Sequence, residues 1–311
     1  MPDKSTILIT GTSGFVGTNF YHAFKNDYVL YGLDITKKGE FPTEDIYGWD
    51  EMEKIPHVET IIHLAGKAHD TSNTSDPHSY FEINLGLTKR IFDYFLKSDS
   101  NTFIFFSSVK AVADTVGDEI LTEEAIPDPK TAYGKSKLEA EKYILGKSIP
   151  EGKKVFILRP CMIHGPGNKG NLNLLYKIVN KGIPWPLGAF ENKRSFVSID
   201  NLTFVIKQLI EKEISGGTYN IADDPPLSTN ELIRLIAISA QQKPIIWNLP
   251  MGMIHFIARM GDVLHLPLNS ERLTKLTESY VVSNDKIKRN LQIEEMPVSS
   301  VEGIKYTLKH L

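Results

Sequence analysis

The sequence predicts an α/β fold: a doubly wound parallel sheet with helices on both faces, followed by a smaller, mostly helical lobe. Three observations predict it. Short apolar runs alternate with helical patterns through the first half, as successive βαβ units require. Most of those runs are continuously apolar rather than alternating, the mark of strands covered on both faces. After Pro160 the texture changes to helical stretches separated by Gly- and Pro-rich loops, among them Gly165-Pro166-Gly167 and Gly182-Ile183-Pro184-Trp185-Pro186.

The first strand, Thr6–Thr10, runs straight into Gly11-Thr12-Ser13-Gly14-Phe15-Val16-Gly17, a G-x-x-G-x-x-G loop that opens a helix over residues 15–24. The glycines allow a tight turn, close approach of backbone amides to a pyrophosphate and close packing of helix on strand, while the helix dipole favours the anion. Alone, such a loop is also an ordinary βα turn. The second strand, residues 29–34, ends at Asp34, 17 residues after Gly17. A carboxylate there can accept hydrogen bonds from both ribose hydroxyls of NAD and would repel the 2′-phosphate of NADP, so the pair is read as an NAD site.

Residues 60–64 and 102–107 supply two further strands, with a helical pattern over 77–97 between them. The latter strand ends at Ser107-Ser108, at the carboxyl edge of the sheet where open α/β folds bind ligands. A helix over 133–145 begins with Tyr133-Gly134-Lys135-Ser136-Lys137, a Y-x-x-x-K pair one turn apart on one face. An ammonium beside a phenol favours phenolate and makes it a usable base near neutral pH. The same spacing also occurs on solvated helix faces, and a serine at a strand end also caps loops. Residues 155–158 give another strand; helices follow over 172–180, 228–240 and 251–264, with a strand over 218–221 placed to return to the main sheet.

Composition excludes several classes. Of the 311 residues, 41% are hydrophobic and 23% charged, which sets aside disorder, collagen and long coiled coils. Lys plus Arg is 35 against Asp plus Glu 38, a net charge of −3, so no basic footprint for nucleic acid or an anionic membrane is expected of the chain as a whole. Cys161 is the single cysteine, which leaves no intrachain disulfide and no multi-cysteine metal site. No apolar run approaches the roughly 18 residues of a membrane span, and Ile7 to Ile9 is too short for a signal-peptide core. The expectation is a soluble, cytoplasmic protein without metal.

Gly11 to Gly17, Asp34, His63-Leu64-Ala65-Gly66, Asn84, Ser107-Ser108, Tyr133 to Lys137 and Arg159-Pro160 stand in the order and spacing of a known family. The chain resembles the extended short-chain dehydrogenase/reductases, the NAD-dependent epimerase/dehydratase family typified by UDP-galactose 4-epimerase, from about residue 5 to 205. The resemblance implies a Rossmann domain over residues 1–160 and a mainly substrate-binding domain over 161–311, with a segment near 195–222 returning to the first. It implies Tyr133 as catalytic base, Lys137 as the residue that tunes it and holds the nicotinamide ribose, and Ser108, about 25 residues before the tyrosine, as the hydroxyl on the substrate oxygen. Cofactor contacts would come from Gly11, Gly14, Phe15, Val16, Gly17, Asp34, Asp50 at the adenine, Leu64, Ala65, Gly66, Lys67 and Asn84. Asn84 equally reads as a buried helix polar group and Lys67 as a solvated loop charge.

On the substrate side the resemblance implies Arg194 on the diphosphate, bidentate by its fork, with Asn171 and Arg272 as further ligands. It departs from the family at Met162, where many members carry Asn, and at His164, in place of a frequent Tyr. Val109 and Lys110 stand where sugar-nucleotide 4,6-dehydratases carry an Asp-Glu pair, so dehydration lacks its acid and base. The segments 107–110, 165–171 and 184–188 are similar to a bacterial polysaccharide branch containing UDP-N-acetylhexosamine 4-epimerases and reductases of 4-keto-6-deoxy UDP sugars. The expected activity is NAD-dependent 4-epimerisation of a UDP-hexose or UDP-N-acetylhexosamine, with NAD(P)H-dependent 4-ketoreduction as the alternative. A non-catalytic NAD sensor is the rival class, against which the retained Tyr133 and Lys137 speak. The family also implies a homodimer through the helices at 77–97 and 133–145; Ile91, Phe92 and Phe95 suit that interface or packing on the sheet.

Overall fold

The computed structural model describes residues 4–67, 76–117, 119–168, 171–264 and 269–311, and of Asn171 the backbone only. Its strands are β1 (Thr6–Thr10), β2 (Val29–Leu33), β3 (Ile46–Tyr47), β4 (Thr60–His63), β5 (Thr102–Phe106), β6 (Ile120–Leu121), β7 (Lys154–Pro160), β8 (Met162–His164), β9 (Phe196–Ser198), β10 (Gly217–Ile221) and β11 (Val281–Val282). The helices are α1 (Phe15–Phe24), α2 (Pro77–Tyr80), α3 (Gly86–Lys97), α4 (Ala132–Leu145), α5 (Asn171–Asn180), α6 (Ile199–Glu211), α7 (Thr229–Ser239), α8 (Met251–Leu264), α9 (Ser270–Thr277), α10 (Asp285–Leu291) and α11 (Ser300–Leu308).

Seven strands form one parallel sheet in the order β10-β7-β5-β4-β1-β2-β3. The chain leaves β1 in one direction and returns at β4 in the other, so the topological switch point falls between them, where open α/β sheets take their ligands. The continuous apolar runs are explained by burial: every residue of β4 and β5 is buried. On one face lie Phe20 and Phe24 of α1 and Leu202, Val205 and Ile206 of α6. On the other lie Ile91, Phe92 and Phe95 of α3 with Ala140 and Ile144 of α4. Those three α3 side chains therefore pack on the sheet.

The helical pattern over 77–97 is a single path with one wider, π-helical turn at Phe81–Leu85 between α2 and α3. Residues 155–158 belong to the longer β7, which carries Arg159 inside the sheet. β3 has only two residues, too few for any periodicity to show. The strand at 217–221 is an edge strand of the sheet, while β9 pairs with β8 in a separate two-stranded sheet and β11 with β6 in another. A second core gathers Leu172, Leu175, Trp185, Leu187, Phe196, Leu232, Ile236, Ile254 and Leu273, chiefly from the helices after Pro160.

Candidate active site

A cavity of about 540 Å³ opens at the switch point. The glycine loop and the start of α1 form one wall, Leu64, Gly66 and Lys67 a second, and Ser107 to Lys110 with Tyr133 and Lys137 a third; Arg194, Phe196 and Tyr280 close the far end.

Gly11 has φ +73°, and a Cβ on it would come within 2.9 Å of the Ala65 backbone; a Cβ on Gly17 would overlap the Gly11 carbonyl oxygen. Only glycine allows that approach. Helix α1 begins at Gly14 with no side chain capping it, and first-turn amides have no acceptor within a helix. Phe15, Val16 and Gly17 face the cavity there, so donors and dipole converge where a pyrophosphate would sit. Asp34 is buried behind the loop: its Oδ2 accepts from the Ser13 amide at 2.8 Å, the Ser13 hydroxyl at 2.9 Å and the Thr12 hydroxyl at 3.2 Å, and its Oδ1 from the Ile35 amide at 2.7 Å. The carboxylate thus clamps the loop to the end of β2. Uncapped amides beside a cradle that only glycine fills, with a carboxylate at the neighbouring strand end, fit NAD.

The 64–67 loop is fixed from below. His63 is buried, which pushes its pKa down to about 3, so it is neutral. Thr10 Oγ1 accepts from the Leu64 and Ala65 amides at 3.1 and 2.9 Å and gives its own proton to His63 Nδ1 at 2.7 Å. His63 Nε2–H then donates to Thr88 Oγ1 at 3.0 Å, and Thr88 to the Asn84 carbonyl at 2.6 Å. Asn84 Oδ1 accepts from the Lys67 amide at 2.7 Å, and its Nδ2 donates to Ser136 Oγ at 2.9 Å. Asn84 is fully buried and spends its amide on the protein. Lys67 Nζ donates to Ser79 Oγ at 2.6 Å and lies over the Tyr80 ring.

Tyr133 sits edge-on to Tyr80, and burial pushes its phenol up while the Ser108 hydroxyl, hydrogen-bonded to it, pulls it down. Lys137, one turn on, donates from Nζ to the Phe106 carbonyl at 2.9 Å. Burial pushes its amine down to about 8, opposed by the carboxylate of Glu141. Glu141 is itself buried against Arg159, which donates to it from Nε at 2.9 Å and from Nη2 at 2.6 Å; the Ser107 hydroxyl donates at 2.5 Å. This ion pair ties α4 to β7 and to the serine next to Ser108.

At the far end, Arg194 Nε donates to the Glu278 carbonyl at 3.2 Å, and Lys110 lies 4.1 Å over the Tyr280 ring with Nζ donating to the Asp114 carbonyl at 2.6 Å. Burial lowers both cations' pKa values, and each charge lies in the other's vicinity. Tyr280 donates to the Ala113 carbonyl at 2.6 Å. Cys161 lines the cavity as a neutral thiol, its pKa pushed up by burial. No acidic residue lines the cavity among the described residues.

The structure therefore brings Gly11, Gly14, Phe15, Val16, Gly17, Leu64, Gly66, Lys67, Ser108, Tyr133, Lys137 and Arg194 to one cavity. Asp34, Ala65 and Asn84 stand behind its wall. Asp50 is exposed beyond β3, with its carboxylate against Gly48. Arg272 is on the exposed side of α9, outside the cavity. Asn171 opens α5, but its side chain lies outside the described residues, as do Lys169 and Gly170. Lys110, Tyr280, Glu141 and Arg159 were not among the expected site residues. Glu141 had a signal, standing four residues after Lys137 on the same helix face; Arg159, a charge inside an apolar strand, had another.

Fold and glycine loop define a class, the Rossmann-type dinucleotide-binding α/β proteins. Within it, a family model of the NAD dependent epimerase/dehydratase family matches residues 7–222. A UDP-glucose 4-epimerase of Vibrio cholerae is 34% identical over 260 residues, 79% of this chain and 78% of the relative. A GDP-6-deoxy-D-mannose reductase of Pseudomonas aeruginosa is 26% identical over 76% of this chain and 80% of the relative. The crystal structure of a Thermus thermophilus UDP-glucose 4-epimerase in complex with NAD superposes with TM-score 0.74 at 20% identity, covering 98% of each chain. The chain belongs to the NAD-dependent epimerase/dehydratase family, and it is an NAD-dependent epimerase or ketoreductase.

Proposed function

We propose that the chain is a 4-epimerase of a UDP-hexose or UDP-N-acetylhexosamine, serving the synthesis of surface polysaccharide precursors. The observation that carries this reading is the placement of Ser108, Tyr133 and Lys137 opposite the glycine loop on one cavity, with Lys110 and Arg194 at its far end. Tyr133 takes the proton of the C4 hydroxyl, Ser108 hydrogen-bonds the same oxygen, and the Lys137 ammonium one turn away favours the phenolate. NAD, when bound, supplies the acceptor and later the donor of a hydride at C4. Arg194 and Lys110 hold the diphosphate while the 4-keto sugar turns over in the cavity, and Tyr133 returns its proton to the oxygen. That no acidic residue lines the cavity among the described residues supports this over dehydration, which needs a carboxylic acid and a base beside the sugar.

The reductase relative favours a second reading, reduction of a 4-keto-6-deoxy sugar nucleotide, in which Tyr133 acts as proton donor only. We assign residues 1–160 mainly to the cofactor and the later residues mainly to the sugar nucleotide. The family resemblance also supports a homodimer through the outer faces of α3 and α4. The deciding experiment supplies UDP-hexoses and UDP-N-acetylhexosamines and identifies products. Interconversion without net change in NADH is expected, with a loss of about 10²–10⁴-fold in Tyr133→Phe. A Tyr133→Phe enzyme as fast as wild type would overturn the mechanism, and turnover only of 4-keto sugars with stoichiometric NADH consumption would replace epimerase by reductase.

A further inference from the structure

Among the described residues 21 large apolar side chains are exposed, and nine of them fall within the twenty residues 245–264. Helix α8 is the centre of this patch. Its buried residues are Ile254, Ala258 and Gly261, and His255 lies edge-on to Phe190 of the second core's margin. At 100° per residue, Met253, Phe256, Ile257, Met260, Val263 and Leu264 cover a separate arc of about 120°, and all six are exposed. Trp247 stands 53% exposed just ahead of the helix, on a strand-like stretch whose amide donates to the Trp185 carbonyl at 2.8 Å. An apolar face this concentrated is not ordinary surface scatter.

Charge indicates what covers it. Residues 243–275 carry four basic side chains, Lys243, Arg259, Arg272 and Lys275, against two acidic ones, a net charge of +2 in a chain of net −3. Both acids are exposed: Asp262 accepts from the Ser270 amide and hydroxyl at 2.9 and 2.6 Å, and Glu271 pairs with Lys275 at 2.6 Å, which offsets that lysine's charge as well. An apolar arc bearing Phe and Met, with an exposed tryptophan just ahead of it and a net positive charge over the surrounding sequence, is the pattern of a helix lying in the plane of an anionic membrane surface. No described helix is long and apolar enough to cross a membrane.

We propose that α8 and Trp247 form a peripheral docking surface for an anionic lipid bilayer. From α8 the chain runs through α9 to Glu278, which holds Arg194, and to Tyr280 on the cavity wall. The docking face is therefore linked along the chain to the Arg194 end of the cavity. The proposal is independent of the substrate reading above, because lipid binding is measured without substrate.

The test uses the full chain with vesicles of phosphatidylcholine alone and of phosphatidylcholine mixed with phosphatidylglycerol. Trp49 and Trp185 are buried, so a blue shift of tryptophan emission reports Trp247 entering the interface. Co-sedimentation with the anionic vesicles, falling as salt rises, and a blue shift absent from Trp247→Phe are expected. The Phe256→Ser/Met260→Ser variant should bind at least about tenfold more weakly while keeping wild-type turnover of a soluble sugar nucleotide and an unchanged elution volume. No binding to anionic vesicles, or binding equal in the double variant, overturns the proposal. So does a change of oligomeric state in the variant without vesicle binding by wild type, which makes the face a contact between copies of this chain.

Discussion

Lys137 and Glu141 lie one turn apart on α4, and the carboxylate holds up an ammonium that burial pushes down to about 8. In the proposed mechanism the charged amine is the form that favours the Tyr133 phenolate, so turnover should fall as pH rises through about 8. Replacing Glu141 by Gln removes the opposing charge and leaves Arg159 as a second buried cation nearby, which lowers the amine's pKa further. The alkaline limb of kcat in Glu141→Gln should therefore move down by about one pH unit. An unmoved limb in folded variant enzyme refutes this role, and Glu141→Asp, which keeps the charge, should restore the limb if Gln folds poorly. Residues of this kind were only half legible. Ser108, Tyr133 and Lys137 could be read because their chemistry demands a fixed helical or strand-end spacing. Lys110 sits in a single 3₁₀ turn, Val109–Ala111, after a strand, too short to show periodicity, and nothing in its neighbours says whether it faces solvent or cavity. Arg272 shows the reverse: a plausible ligand type on a helix whose exposed side no spacing rule identifies.

Among the elements, the turn from β1 into α1 is the most constrained. A Cβ at Gly17 meets the Gly11 carbonyl oxygen and lies 2.8 Å from Thr12 Cα, both backbone atoms that cannot swing aside. Gly17→Ala should shift the helix off the strand at a cost of about 1–3 kcal/mol, the usual range for overpacking. It should also lose most of the rise in melting temperature that NAD gives wild type, since that rise is binding energy to the native loop. Melting like wild type with and without NAD would show that the loop accommodates a side chain. The same physics made this part of the fold readable. Continuous apolar strands, glycines at a close crossing and helices with one buried face each leave a mark in the sequence. The two-residue β3, the β8–β9 pair and the wide turn at Phe81–Leu85 leave none, because their geometry is set by what they pack against. At that wide turn, Asn84 holds the Lys67 amide.

For the whole molecule, the arrangement around β1 and β4 makes stability depend on one buried imidazole. His63 joins β4, the hydroxyl at the end of β1 and Thr88 of α3, and it does so only as the neutral tautomer that accepts at Nδ1 and donates at Nε2. In the folded protein it resists protonation down to about pH 3, against 6.5 when unfolded. Above pH 6.5 neither state binds the proton, and His63 contributes no pH dependence. Between 6.5 and about 3 the unfolded chain binds a proton that the native state refuses, so stability falls with pH, reaching a loss of about 2 kcal/mol at pH 5. Gln can accept and donate at the same site without titrating. His63→Gln should be less stable than wild type at pH 7, where it loses a fitted ring, and should close that gap or reverse it at pH 5. Urea unfolding of both proteins at the two pH values measures it. A gap of equal size at pH 7 and pH 5 would mean that the imidazole takes up its proton within the fold, and that the tie between β1, β4 and α3 does not depend on its neutrality.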